Sequence, residues 1–378
     1  MFSSSFLKSF RILLFPFAFI YWFILLVRNW LFDKNILVST SFNLPLIGVG
    51  NLCLGGTGKS PMVEYLVKFL KQRYRVATLS RGYKRKTTGY VLASASTTAL
   101  EIGDEPKQFS LKFPDVPVAA GEKRIEAIPQ LLQDHPETQC IILDDSFQHR
   151  AVQPGLNILL TEYHNLFTRD FYFPTGDLRD LKSGYKRADI VVVTKCDPKI
   201  DEKQKEKIIR EIAPLPYQHI FFTANRYSHP YHILNKNDII RLSVPEEILL
   251  VTGIANPQPL KHLLELHAGS YSMLHYPDHH IFSIDDWKEI RKKFETISAK
   301  RKIILTTEKD AVRIIKFGDE LRNLPLYVIP LEHYFLFESE QKFQEIVIKF
   351  IESFYTKEQN NYGKKTFEDK KEAKGKEG

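Results

Sequence analysis

The chain has 378 residues, 43% of them hydrophobic, and 53 Lys and Arg against 45 Asp and Glu give it a net charge of +8. That is enough for two domains, or one enlarged domain, around a sizeable core, while Cys53, Cys140 and Cys196 are too far apart for a disulfide framework or metal-ligand spacing. The positive excess is spread along the chain without an arginine block or aromatic–basic repeat, which argues against nucleic acid and for smaller anions such as a nucleotide or a lipid headgroup.

Taken in chain order, the first element is an apolar and aromatic run from Ile12 to Val27, with Lys8 and Arg11 before it and Arg28 and Lys34 after it. It is shorter than the roughly 20 residues that span a bilayer, although Trp30, Leu31 and Phe32 extend it. No small-residue cleavage site follows, so it does not read as a signal peptide. Length and aromatic content predict membrane attachment, by a short spanning helix or one lying in the interface; an apolar cap on the globular body is the alternative.

The strand Pro45 to Asn51 then runs into Gly55-Gly56-Thr57-Gly58-Lys59-Ser60. Such a loop wraps its amides around a phosphate, Lys59 adds charge near the outer phosphates, and Ser60 offers a hydroxyl to Mg2+. The strict G-x-x-x-x-G-K-[ST] pattern fails at one place, where Cys53 stands instead of glycine. Val63, Leu66, Val67 and Leu70 follow at helical spacing, so the loop opens a helix whose N-terminus favours anions.

Arg75 to Ser80 reads as a second strand, and Gly89 to Leu92 as the start of a hairpin. Asp104-Glu105-Pro106 reads as an acidic, Gly-rich turn, and Glu122 to Leu132 as a helix. Cys140 to Leu143 is a buried strand closed by Asp144-Asp145, where phosphate-loop enzymes keep a carboxylate for Mg2+. Gln148 and His149 share that turn. Arg179, after the turn Pro174 to Asp177, suits a bidentate phosphate clamp. Leu156 to Leu160 and Asp189 to Thr194 are further buried strands. Thr194-Lys195-Cys196-Asp197 invites a guanine-reading interpretation, but no D-x-x-G turn accompanies it.

From about residue 215 the α/β pattern repeats without a second phosphate loop: strands at 247–253, 302–307 and 326–329, a helix from Leu260 to His267, and an Asp278-His279-His280 cluster in a loop. That cluster has no third ligand at metal spacing. The expected fold is therefore α/β, a phosphate-loop NTPase-like doubly wound and mostly parallel sheet with a second, smaller α/β half and an N-terminal apolar helix. The expected boundaries are 1–35 for the membrane-associated helix, 36–214 for the core, 215–355 for the second half, and 356–378 for a disordered charged tail.

Together these pieces resemble the tetraacyldisaccharide 4'-kinase family, the lipid A 4'-kinases of Gram-negative bacteria. The resemblance rests on Val49-Gly50-Asn51, Gly55 to Ser60, Ser80 to Tyr83, Gly103 to Pro106, Ala120-Gly121 with Arg124, Asp144-Asp145 with Phe147-Gln148-His149, Pro174 to Asp180, Gly253 to Pro257, Asp278 to His280, and Thr307 to Asp310. Ser146 stands where the family usually has glycine, Ser60 where threonine is common, and Asp180 where glutamate is more usual.

The resemblance implies transfer of the ATP γ-phosphate to the 4'-hydroxyl of a tetraacyldisaccharide 1-phosphate, a lipid A precursor, at the cytoplasmic face of the inner membrane. No nucleic acid and no obligate protein partner are expected. It further implies that Gly55, Gly56, Thr57, Gly58, Lys59 and Ser60 bind ATP; that Ser60, Glu105, Asp145 and Gln148 surround Mg2+; that Asp104 takes the sugar hydroxyl proton, tuned by His279; and that Arg124 and Arg179 stabilise phosphate or headgroup charge. His279 and His280 are both open as the catalytic histidine. The runner-up functions are a membrane-tethered nucleotide switch and a GTP-dependent metallochaperone.

Overall fold

The computed structural model describes residues 11–243, 245 and 247–356. Residues 1–10, at the start of the expected anchor, and 357–378, nearly all of the expected charged tail, lie outside the described residues. The chain divides into two compact units: one comprises Met1–Leu79, Ile128–Ala224 and Tyr334–Gly378, the other Ser80–Ala127 and Asn225–His333. A single break near residue 215 does not make this grouping, which joins 80–127 to 225–333. Strands and helices alternate alike on both sides of residue 80, so composition marks no boundary there.

In the first unit, parallel strands lie in the order His219–Tyr227, Ile190–Thr194, Leu156–Glu162, Leu46–Asn51, Cys140–Leu143, Val76–Ser80. Val49 sits opposite Ile158, and Ile47 opposite Ile142. The strands are aliphatic because parallel sheets are covered on both faces, and Ile47, Val49, Ile141, Ile142, Val191 and Val192 are all buried. From Leu46–Asn51 the chain places Val76–Ser80 and Cys140–Leu143 on one side, then Leu156–Glu162, Ile190–Thr194 and His219–Tyr227 on the other. Doubly wound sheets bind ligands at the carboxyl ends of strands flanking such a reversal, and the glycine-rich loop leaves this strand at that end.

The second unit holds its own sheet, in which Tyr271–His275, Glu247–Thr252, Lys302–Thr307 and Leu326–Ile329 are parallel. Tyr231–His232 and Asn235–Ile239 extend it antiparallel. Trp287, Phe282, Ile304 and Val328 anchor the core on one face. Val91–Leu92 does not begin a local hairpin: it pairs antiparallel with Val118–Ala120, far along the chain. The intervening residues build helices Ala99–Ile102 and Asp104–Lys112. Asp104-Glu105-Pro106 is accordingly a helix N-terminus rather than a turn, and two acids there complement the helix dipole.

The N-terminal helix Phe15–Asp33 buries only Ala18, Leu25, Asn29 and Phe32. Phe15, Phe17, Phe19, Ile20, Phe23, Ile24 and Trp30 are all more than half exposed. By length and composition the helix is apolar enough to cross a membrane. Its inner face is tied down by polar groups. Asn29 Nδ2 donates to Asp180 Oδ1 at 2.9 Å, Arg28 Nη2 to the Gln148 carbonyl at 2.8 Å, and Tyr21 to the Arg179 carbonyl at 3.2 Å.

Candidate active site

Two clusters of functional side chains stand out, one in each unit. The first grows from the glycine-rich loop. Gly58 takes φ +87°, a left-handed conformation that favours glycine, and it ends the loop where helix Lys59–Leu70 begins. Asn51 Nδ2 donates to Thr57 Oγ1 at 2.9 Å, and Thr194 Oγ1 donates to the Thr57 carbonyl at 2.8 Å, so the loop is braced from two strand ends. A Cβ on Gly55 or Gly56 would meet nothing within 4 Å. These two residues border open space, as a cradle for a bound anion must.

The missing glycine has a local explanation. Cys53 forms an isolated antiparallel bridge with Leu178, flanked by Leu54 N donating to the Asp177 carbonyl at 2.6 Å and Arg179 N to the Leu52 carbonyl at 2.8 Å. The chain is still extended there, and Cys53 is not among the residues with positive φ. Burial pushes its thiol up to about 12, which leaves it a small hydrophobe. Cys140 and Cys196 are likewise free and buried.

Asp145 is held in the left-handed region at φ +48° at the strand end. Arg179 grips it bidentately, with Nη1 donating to Oδ2 at 3.1 Å and Nη2 donating to Oδ1, and Nη2 also donates to Asn51 Oδ1. Lys59 Nζ lies 3.5 Å from Asp145 Oδ1. Arg179 therefore clamps a carboxylate and an amide beside the phosphate loop. Gln148 Nε2 donates to the Asn51 carbonyl at 2.7 Å. Its Oε1 is buried with no hydrogen-bond partner among the described residues. Ser60, Asp145 and Gln148 thus bring a hydroxyl, a carboxylate and an unsatisfied amide oxygen to one unit. This all-oxygen donor set suits a hard divalent cation such as Mg2+.

Asp180, whose exchange for glutamate left its role unassigned, is a buried hub. It accepts from Asn29, from Leu181 N at 2.8 Å and from Arg187 Nη2 at 2.8 Å. The guanine-reading interpretation finds its residues engaged elsewhere: Thr194 braces the loop, Lys195 pairs with Glu162 at 3.2 Å, and Asp197 accepts from Lys199 N.

The second cluster centres on Asp104, the first residue of helix Asp104–Lys112. His279 Nδ1 lies 3.0 Å from its Oδ2. A carboxylate only accepts, so the contact requires the Nδ1–H tautomer or the doubly protonated ring. His279 reaches this position with φ +64° in the loop after strand Tyr271–His275. His280 faces away: its Nε2 lies 2.9 Å from Asp286 Oδ2, within the cap of helix Ile284–Glu295. The geometry separates the two histidines, which the sequence did not.

Arg313, on helix Glu308–Ile314, is the residue that sequence reading missed. Its Nε donates to Asp104 Oδ1 at 2.8 Å and its Nη2 to Oδ2. The signal was faint: an arginine three residues beyond Thr307 to Asp310. Burial alone would raise the Asp104 carboxyl, but the hydrogen bonds from His279 and Arg313 and the guanidinium charge outweigh it and hold it below the usual carboxylate range. Glu105, Asp278, Lys309 and Asp310 line the same small cleft. Glu105 thus stands beside Asp104 in the second unit, whereas Ser60, Asp145 and Gln148 are in the first. Arg124 is buried, only 2% exposed.

The family model for tetraacyldisaccharide-1-phosphate 4'-kinase matches residues 10–352. A tetraacyldisaccharide 4'-kinase from Flavobacterium johnsoniae is 45% identical over 343 residues, 90% of this chain and 97% of that one. One from Bacteroides thetaiotaomicron is 42% identical over 352 residues, 89% of this chain and 92% of the other. Among solved structures, LpxK from Aquifex aeolicus in complex with ATP is similar with a TM-score of 0.71 at 26% identity, covering 90% of this chain and 99% of that one.

Proposed function

The chain belongs to the tetraacyldisaccharide 4'-kinase family and is a kinase of lipid A biosynthesis, and from that premise we propose how its own residues carry the transfer of the ATP γ-phosphate to the 4'-hydroxyl. Phosphoryl transfer asks mainly for positioning and charge neutralisation. The amides from Gly55 to Gly58 and the start of helix Lys59–Leu70 receive the phosphates, and Lys59 offsets charge on the outer ones. Arg179 and Lys59 hold Asp145 in place. Ser60, Asp145 and Gln148 are the residues that would hold Mg2+. When bound, the ion neutralises phosphate charge.

Asp104 receives the hydroxyl proton. A carboxylate this acidic does not deprotonate a free alcohol beforehand, so it accepts the proton late, as the new P–O bond forms. His279 orients it. The single observation that carries this assignment is the 3.0 Å contact between Asp104 and His279, two residues remote in sequence. Incubation with γ-labelled ATP and the disaccharide lipid tests it. Wild type is expected to label the lipid, and Asp104→Ala to do so at least about a hundredfold more slowly, the loss typical of removing a general base. Equal rates would remove Asp104 from the mechanism.

We further propose that the helix Phe15–Asp33 lies in the membrane interface, with the catalytic body on the cytosolic side where ATP is. Arg11, just before the helix, lies 3.2 Å from Asp177, and Asp33, its last residue, lies 2.7 Å from Arg150. One face is therefore occupied by protein along its whole length, while the opposite face offers Phe and Ile to lipid. Substitution of Phe17, Phe19 and Phe23 by serine tests this more cleanly than deletion, which would strip Asn29 from the buried Asp180. The triple variant should sediment poorly with phosphatidylethanolamine–phosphatidylglycerol vesicles and bind ATP normally. Undiminished sedimentation would overturn the interfacial placement.

A further inference from the structure

Arg313 belongs to none of the motifs that mark this chain, yet its guanidinium is among the most engaged groups in the second unit. Besides its two bonds to Asp104, Nη1 donates to the His280 carbonyl at 2.9 Å, and Nη2 lies 3.0 Å from His279 Nδ1. The side chain is 11% exposed. One planar fork thus bonds the carboxylate and the backbone of the loop that carries the imidazole, and Nη2 meets His279 Nδ1 as a second donor on the shared Asp104 Oδ2 rather than as its partner.

The arginine is itself fixed. Thr307 Oγ1 caps its helix by accepting from Asp310 N at 3.2 Å. The Asp310 carboxylate accepts from Thr307 Oγ1 at 2.7 Å, from Thr252 Oγ1 at 2.9 Å and from Gly253 N at 3.1 Å. Two strand ends and the helix that bears Arg313 are tied to one buried acid. A guanidinium presents donors in a rigid fork, so a fixed arginine fixes the plane of the carboxylate it grips.

We propose that Arg313 is a positioning residue for phosphoryl transfer: it sets the plane of Asp104 and the place of His279 together, so that one carboxylate oxygen is presented to the acceptor hydroxyl. The bond count identifies that oxygen. Oδ2 meets both Arg313 and His279, whereas Oδ1 meets only Arg313 Nε among the described residues. Oδ1 keeps the lone pair that receives the proton as the hydroxyl oxygen bonds to phosphorus and the bridging bond to the diphosphate leaving group breaks. The inference rests on the assignment of Asp104 as proton acceptor.

The test is a cycle of variants of the full-length enzyme, assayed with ATP and the disaccharide lipid. Arg313→Ala should lower kcat by roughly 10- to 100-fold, the scale of misplacing a catalytic group by about 1 Å, with little change in KM for ATP. Arg313→Lys should recover only part of that loss, because an ammonium cannot span both oxygens. Millimolar ethylguanidinium should restore rate to Arg313→Ala and not to Asp104→Asn. Adding Arg313→Ala to Asp104→Asn should cost almost nothing further, since the positioned group is already disabled.

Fully additive losses, or a raised KM for ATP at unchanged kcat, would overturn the role. If Arg313→Ala does not fold, Arg313→Gln, which keeps a stem and one amide donor, takes its place in the cycle. The two readings fail differently. An Asp104→Asn enzyme of full rate sinks the assignment of Asp104, and Arg313 with it. A slow Asp104→Asn beside a fast Arg313→Ala sinks Arg313 alone.

Discussion

The two clusters use the same chemical device for different ends. In the first unit Arg179 grips Asp145, and Lys59 approaches the same carboxylate at 3.5 Å. In the second unit Arg313 grips Asp104, and His279 approaches it at 3.0 Å. In the proposed mechanism, the arginine–carboxylate fork with a lysine beside a glycine loop holds phosphate charge. The same fork with a histidine is where the proposed mechanism puts the proton, because an imidazole N–H can orient a carboxylate that must also accept a proton from substrate. On the proposed mechanism, what joins each Arg–Asp pair decides what the pair does.

The sharpest way to break that contrast is to remove the third member from each. Lys59→Ala should lower the transfer rate by about 10²–10³, as for loss of one preorganised charge-stabilising group, and should also weaken ATP binding. His279→Ala should lower kcat while leaving ATP affinity unchanged, because the proposed mechanism gives its cluster the acceptor. Nucleotide binding by equilibrium titration, set beside the label-transfer rate, separates the two. Matching losses of ATP affinity would show that the clusters are not divided in this way.

The clusters also differ in how much of them the sequence reveals. The first has a centre that is compact along the chain, a strand, a glycine loop and Lys59-Ser60 in succession, to which folding adds Asp145, Gln148 and Arg179. Local geometry dictates those residue types, so the pattern survives even with Cys53 in place of glycine. The second is assembled from residues 104, 279 and 313, which only tertiary folding brings together. Asp104 and the Asp278-His279-His280 loop stand out as acidic and imidazole clusters, but their pairing comes only from the family resemblance, and it takes the structure to show His279 on Asp104 and His280 on Asp286.

Arg313 escaped because an arginine in an amphipathic helix looks like a solvated one until its partner is in place. The fold shows the same division. Buried parallel strands announced themselves as aliphatic runs, whereas the pairing of Val91–Leu92 with Val118–Ala120, across two helices, left no local trace.

A smaller effect tests whether Arg179 is more than a positive charge. Its guanidinium serves Asp145 and Asn51 at once, and Asn51 in turn braces Thr57. Arg179→Lys keeps the charge and loses the fork. It should cost roughly tenfold in rate, in line with the loss of one or two charge-assisted hydrogen bonds, and should loosen ATP modestly. A lysine variant of wild-type rate would reduce Arg179 to electrostatics.

The smallest effect concerns the residue that breaks the phosphate-loop pattern. If glycine were required at position 53, Cys53→Gly would improve nucleotide binding. The backbone says otherwise: Cys53 lies outside the positive-φ region, bridges Leu178, and packs in the core cluster with Leu52, Phe147 and Leu178. The glycine variant gives up a buried side chain and gains freedom in the unfolded chain. Those two terms together cost roughly 1–2 kcal/mol, a fall of a few degrees in melting temperature for a domain of this size. ATP affinity should not change, because the cradle begins at Gly55, beyond the bridge. Tighter ATP binding by Cys53→Gly would mean that the loop reaches back to position 53, and that the strand bridge to Leu178 is a constraint on the site rather than its foundation.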